Sequence, residues 1–193
     1  MVNRAPSPGV AVTEISLSDA ALAQFEQNTF VEAASLLADA RMHAIAWNGT
    51  SAAWKGFSQD AALCDAISQR FGVPGTASMQ ALNAILSRTQ ARRIGLVTPY
   101  ADEVQAKIVE NYGAAGYDVV AERHLGIREN FAFSEIDPAR IGDMVREVAA
   151  VGPDAIMIVC TNLRSPQLVA PLEDELGIPV YDSLSAVVWH ALT

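Results

Sequence analysis

Short apolar runs alternate along the chain with segments whose apolar positions recur at helical spacing, a pattern that predicts βα units and a parallel sheet. Gly9–Ile15 reads as a strand and Phe30–Arg41 as a helix. His43–Trp47 is a buried strand ending at Asn48-Gly49-Thr50-Ser51. Ser58 is placed to cap a helix running to Arg70, which Gly72 stops and Pro74 keeps from resuming. A short strand near Val73 and a helix over Ser78–Leu86 follow. Arg93–Val97 is a strand leading into Thr98-Pro99-Tyr100, after which Asp102 and Glu103 occupy the first turn of a helix reaching Ala115. Tyr117–Ala121 reads as a strand and Leu125–Phe133 as a loop. Asp137-Pro138, a cap followed by proline at the first helical position, opens a helix to Ala150. Asp154–Cys160 is the most apolar strand. Ser165-Pro166 opens a helix closed by Gly177-Ile178-Pro179, before a strand at Val180-Tyr181 and a last helix over Leu184–Leu192.

The pattern repeats itself. A strand, a polar loop, a helix, Phe71-Gly72-Val73-Pro74 and a helix from Ser78 are echoed by a strand, Cys160-Thr161-Asn162, a helix, Leu176-Gly177-Ile178-Pro179 and a helix from Ser183. The helix-stop motifs and the serines share one offset, 177 − 72 = 183 − 78 = 105, while the strand ends differ by 160 − 49 = 111. The first unit is therefore expected to carry six extra residues between its strand and its helix. Two pseudo-symmetric βαβα lobes facing a cleft follow: residues 1–86 with 184–193, and residues 87–183, or together one domain over 9–193. Both strand-end loops then open on the cleft, because ligands of parallel sheets bind beyond the carboxyl ends of strands.

Composition narrows the partners. A chain of 193 residues that is 51% hydrophobic can bury a full core. Thirteen basic against 22 acidic residues give a net charge of −9, with no basic run, which argues against nucleic acid and anionic membranes. Cys64 and Cys160 are too isolated for a disulfide framework or a metal knuckle, and a cytoplasmic setting fits them. Met1–Pro6 lacks the apolar region of a signal peptide, and no apolar stretch approaches the ~20 residues of a bilayer span. A homo-oligomer is compatible with the sequence.

The strand-end loops carry neutral donors: Asn48, Thr50 and Ser51 in the first unit, Thr161 and Asn162 in the second, and Tyr100 after a third strand. With a helix expected behind each loop, backbone N–H groups and the positive end of a helix would face the cleft, which suits a carboxylate or enediolate without a metal. Cys160 is the one acid–base side chain there. An ordinary thiol pKa of ~8.5 leaves it protonated at neutral pH and able to give a proton to a carbanion. Cysteine ending an apolar strand is also a common core residue. Cys64, on a helical apolar face, reads as core. His43, His124 and His190 lack metal-ligand or triad spacing, and Trp47, Trp54 and Trp189 read as packing.

Thr98-Pro99-Tyr100-Ala101-Asp102-Glu103-Val104, Leu125-Gly126-Ile127-Arg128-Glu129-Asn130, Cys160-Thr161-Asn162-Leu163-Arg164 and Leu176-Gly177-Ile178-Pro179-Val180 together resemble the Asp/Glu/hydantoin racemase superfamily. The likeness is strongest to its arylmalonate decarboxylase and maleate cis–trans isomerase branch, including the relatives found in ectoine-utilisation clusters. It runs from about Gly9 to the end of the chain. The resemblance implies a pseudo-twofold α/β fold, no cofactor and no metal, and two facing cysteines, one per lobe. Cys160 matches the second. Gly49 stands where racemases and maleate isomerase place the first, and arylmalonate decarboxylases share that glycine. By the same resemblance Thr50, Ser51, Tyr100 and the N–H groups of Cys160 and Thr161 form a dioxyanion hole, and Cys160 protonates the enediolate left when CO2 departs. Asn48 joins the substrate-binding set, and Asn130 resembles an isomerase-type substrate contact. The family's opening strand and Pro-containing loop have no counterpart before Gly9, so the N-terminal strand is expected to be missing. The expectation is a cofactor-independent decarboxylase of small malonate-type carboxylates. A maleate-isomerase-like or racemase activity, and a catalytically silent carboxylate-binding protein, are the alternatives.

Overall fold

The computed structural model describes residues 14–25 and 27–193. After a short helix α1 (Asp19–Ala23) come α2 (Gln27–Ala38), β1 (Ile45–Trp47), α3 (Ala52–Lys55), α4 (Ser58–Phe71), β2 (Gly75–Ala77) and α5 (Ser78–Thr89). The rest of the chain forms β3 (Arg93–Thr98), α6 (Asp102–Ala114), β4 (Asp118–His124), α7 (Pro138–Ala149), β5 (Ala155–Ile158), α8 (Val169–Leu176), β6 (Val180–Asp182) and α9 (Ser183–Leu192). All strand pairs in the two sheets are parallel.

The unbroken apolar runs become the central strands. β5 is buried throughout and β3 at all but Arg93, as strands covered on both faces require. They sit side by side in a four-stranded sheet of order β4-β3-β5-β6. The chain lays β4 on one side of β3 and then returns to the other side for β5 and β6. Strand order reverses between β3 and β5, and a crevice opens beyond their carboxyl ends. The amphipathic helix α7 covers this sheet with Ile141, Met144, Val145 and Val148, all buried. β1 and β2 form the second, two-stranded sheet, and α5 packs on α9. Val31, Ala34, Ile45, Leu63 and Ile67 make a separate small core between α2, β1 and α4.

Local signals account for most boundaries. Asp137 caps α7 by accepting from the Ala139 N–H at 2.9 Å, with Pro138 at the first helical position. Gly72 and Gly177 end α4 and α8 in the left-handed conformation, at φ 68° and 64°, which costs glycine nothing. Other expectations need correction. The helix placed at Phe30–Arg41 runs Gln27–Ala38, and Arg41 turns left-handed at φ 54°. Ser58 does not cap α4 but is its first residue, after Phe57. The strand near Val73 forms at Gly75–Ala77, because Pro74 supplies the carbonyl that receives the Ile45 N–H. Ser165 does not cap a helix: Pro166–Leu168 is a 3-10 turn, and the Ser165 hydroxyl donates to the buried carboxylate of Asp182. Ser58 and Val169 each stand nine positions beyond their strand-end residue (58 − 49 and 169 − 160). The six additional residues therefore lie within helix α4, of 14 residues against 8 in α8. Of the expected Gly9–Ile15 strand, residues 9–13 lie outside the described residues. Glu14 makes an isolated antiparallel bridge to Glu129, and the Ile15 N–H donates to the Arg128 carbonyl at 2.8 Å. Among the described residues no helix is long and apolar enough to cross a membrane.

One buried acid gives the fold a pH dependence. Asp60, in the first turn of α4, is 3% exposed and its Oδ2 has no hydrogen-bond partner. Burial lifts its pKa from 3.8 to about 7, against the opposing pull of the Gln80 and Met79 N–H groups at the start of α5. A carboxyl with a raised folded-state pKa favours folding most below its unfolded value, and that advantage disappears as pH rises through the folded value. The span corresponds to on the order of 4 kcal/mol at 1.36 kcal/mol per unit. Asp60→Asn is therefore expected to melt progressively higher relative to the parent as pH rises from 4 to 7, with the gap constant above 7. Parallel melting curves across that range, followed by circular dichroism, would refute the assignment.

Candidate active site

Three strand ends and one loop converge on a cavity of about 210 Å³. β1 delivers Asn48, Gly49, Thr50 and Ser51, β3 delivers Tyr100, β5 delivers Cys160 and Thr161, and the loop after β4 brings Asn130. These eight residues and Asn162, all singled out in the sequence, thus line one cavity. They gather there because β3 and β5 are neighbours at the reversal of strand order, with the β1 end facing them. Thr161 Oγ1 crosses between the two sheets as a long hydrogen bond to the Asn48 carbonyl, 3.5 Å, and the Ser78 hydroxyl donates to Asn48 Oδ1 at 3.2 Å. The Asn130 loop is pinned by N–H bonds from Gly126 and Ile127 to the Tyr100 and Pro99 carbonyls, at 3.1 and 2.9 Å. Arg128 adds a forked pair with Glu103, and Asn162 Nδ2 donates to Asn130 Oδ1 at 2.8 Å.

The lining contains no Asp, Glu, Lys or Arg among the described residues, so its polarity comes from hydroxyl, amide and thiol groups. The hydroxyls of Tyr100 and Thr50 are 2.7 Å apart and buried. Burial first, and then the Cys160 sulphur, hold the Tyr100 phenol well above its ordinary pKa, so it stays a neutral donor. Cys160 is 3% exposed. Burial pushes its thiol up to about 11, although the Asn162 and Leu163 N–H groups and the Tyr100 hydroxyl pull the other way. The sulphur therefore carries its proton at neutral pH.

Behind β1 and β5 the long helices do not start as expected, whereas α6 follows β3 and Tyr100 directly, from Asp102. The four-residue α3 follows Ser51, and the 3-10 turn Pro166–Leu168 precedes α8. At the β1 and β5 ends the polar groups are hydroxyls and local amides rather than the terminus of a long helix.

Gly49 has a packing reason to be glycine. A Cβ there would lie 2.3 Å from Trp47 Cζ2 and 2.5 Å from Cε2, so the indole occupies the room a side chain would need. Two of the three tryptophans read as packing, Trp47 and Trp54, line the cavity, together with Ile15, Phe25 and Phe133. Trp54 and Phe133 meet the Tyr100 ring edge-on at 5.1 and 5.5 Å and fix its direction. Phe25 sits edge-on to Trp54 at 5.9 Å, and Lys55 Nζ donates to the Leu22 and Phe25 carbonyls at 3.2 Å, tying residues 14–25 over the site. No local pattern marks these five residues, because each enters the cavity from a different element. The remaining residues fall outside it. Cys64 is buried on α4, His43 is exposed, His124 lies between Glu122 and Asp102, and His190 bonds Thr76. Trp189 packs beside β6.

A profile of the arylmalonate decarboxylase family matches residues 7–193. The chain belongs to the arylmalonate decarboxylase family. It is 29% identical over 147 residues to the arylmalonate decarboxylase of Bordetella bronchiseptica, covering 75% of this chain and 61% of that one. With the maleate isomerase of Geobacillus stearothermophilus it shares 26% identity over 103 residues, 53% of this chain and 41% of that one. The chain thus spans less than two thirds of both relatives. The crystal structure of a glycine-to-cysteine, cysteine-to-serine double mutant of arylmalonate decarboxylase, in a liganded form, superposes with a TM-score of 0.83 at 25% identity, over 94% of this chain and 77% of that one. The α/β architecture with parallel sheets and the membership of the racemase-like superfamily expected from the four motifs both hold.

Proposed function

We propose that the chain is a cofactor-independent decarboxylase of small malonate-type acids. The observation that carries this reading is a single protonated thiol, Cys160, facing the hydrogen-bonded hydroxyls of Tyr100 and Thr50, with Gly49 and not a second thiol at the end of β1. One carboxylate of the acid is held by Thr50, Ser51, Tyr100 and the N–H groups of Cys160 and Thr161. The C–C bond to the other carboxylate breaks, CO2 leaves without the bonding pair, and that pair spreads into the held carboxylate as an enediolate. Preorganised donors stabilise this charge where it develops. Cys160 then gives its proton to the α-carbon, and the thiolate takes one back from water. Protonation comes from one face, so the product has one handedness.

Isomerisation of a cis-dicarboxylate is the second reading, favoured by the Asn130–Asn162 amide pair in the lining, which could hold a second carboxylate. It needs a thiolate nucleophile. A thiol raised to about 11 is poorly suited to that step. Incubation with substituted malonates, maleate and amino acids, followed for CO2, for fumarate and for loss of optical activity, tests the choice. CO2 with a single product enantiomer is expected. Fumarate without CO2 would replace the proposal by the isomerase, and carboxylate binding with no turnover would replace it by a silent binder.

A further inference from the structure

Trp47 stands between two cavities. On one side is the site. On the other, under α2, lies an apolar cavity of about 170 Å³ whose lining includes Phe30, Ala34, Leu37, Ile45 and Leu63 as well as Trp47. Among the described residues Trp47 is the side chain common to both linings. An apolar cavity of roughly 150 Å³ lined by Leu, Ile and Phe is enough to take benzene. The indole is clamped in place: Phe30 stacks on it with ring centroids 4.0 Å apart and planes tilted by 31°, and its Cζ2 and Cε2 atoms press on Gly49, where a Cβ would be 2.3 Å from Cζ2. The site cavity itself, at about 210 Å³, is smaller than the ~300 Å³ at which ordinary ligand pockets begin.

We propose that Trp47 is the specificity-determining residue of this site. Its indole ends the carboxylate cavity, so that the native substrate carries only a short substituent, and it shuts off behind it an apolar space that would otherwise take an aryl ring. The inference rests on the carboxylate-binding reading above and names the size class of the acid. Gly49 serves the same purpose, since a larger residue there would push the indole out of the partition.

The test uses binding of two unreactive acids, propanoate and 3-phenylpropanoate, measured by titration calorimetry. The parent is expected to bind propanoate and to bind 3-phenylpropanoate at least tenfold more weakly. Trp47→Ala should shift the ratio of the two dissociation constants by at least tenfold toward the phenyl acid, and Trp47→Leu, which keeps more of the packing against Phe30, should shift it in the same direction by less. Adding Ala34→Phe to Trp47→Ala refills the apolar cavity and should return the ratio to that of the parent. The proposal is overturned if the parent takes both acids equally, if a folded Trp47 variant shows no shift, or if the gain survives Ala34→Phe. Those results leave the carboxylate reading standing. Failure of both acids to bind any of the proteins would overturn that reading and this proposal together.

Discussion

Cys160→Ala is expected to reduce turnover to the uncatalysed background while the melting temperature stays within a few degrees of the parent. The substitution removes one sulphur at the end of β5, where the strand's own packing is supplied by Ile156, Met157 and Ile158, each fully buried. What disappears is the proton donor. Cys64→Ala should leave activity within a few-fold, because Cys64 lies on α4 with its thiol driven up to about 12 by burial and by Asp60 and Asp65, outside the site lining. The same assignment sets a pH profile. A donor that is protonated below about 11 works throughout the neutral range, and the rate should fall only as pH climbs toward that value. Both cysteine variants, assayed on whichever acid the substrate screen identifies, decide the matter: equal losses would remove the one-thiol mechanism. A rate that rises between pH 7 and 10 would point to a thiolate instead.

Tyr100→Phe and Thr50→Ala are each expected to slow catalysis by roughly 10²–10³, the usual cost of deleting one preorganised donor to an oxyanion. The phenylalanine keeps the ring between Trp54 and Phe133, so the loss should appear in the rate and not in the melting temperature. Thr50→Ala differs in kind, since it leaves the Tyr100 hydroxyl, buried at 2.7 Å from Thr50 Oγ1, with one partner fewer. A stability cost of about 1–3 kcal/mol should accompany it. The two hydroxyls act as a unit, and the double variant should lose much less than the product of the two separate losses. Rates of the single variants within fivefold of the parent, with folding intact, would show that the enediolate is not held here.

The local elements were legible because their signals are local. Asp137-Pro138 and the stops at Gly72 and Gly177 use chemistry contained within a few residues, and the short, β-branched apolar runs of β3 and β5 read as covered strands. The polar loops at the ends of those runs were legible for the same reason: Asn48–Ser51, Tyr100 and Cys160-Thr161 are where an apolar stretch gives way to donors. Boundaries moved where a distant partner supplied the hydrogen bond. β2 forms at Gly75–Ala77 beside β1, and Ser165 turns to Asp182 rather than to a helix end. The long helix expected behind the β1 and β5 loops did not form there, since neither α3 nor the turn at Pro166–Leu168 has a marked periodicity to announce it, whereas α6 starts behind Tyr100 as read.

By itself the sequence determined the alternation of strands and helices, the internal repeat and the residue types available at each strand end. Only the tertiary structure decided which of those ends meet. That depends on the order β4-β3-β5-β6, which brings Tyr100 and Cys160 to adjacent strands, and on how the β1 end packs against them. It also decided that Trp47 fills the space beside Gly49, that Phe25 and Ile15 close over the cavity, and that the Cys160 thiol is buried deeply enough to keep its proton. Periodicity reports which face of an element is covered, whereas the identity of the covering residue is set by contacts between segments far apart in the chain, and no local pattern encodes those.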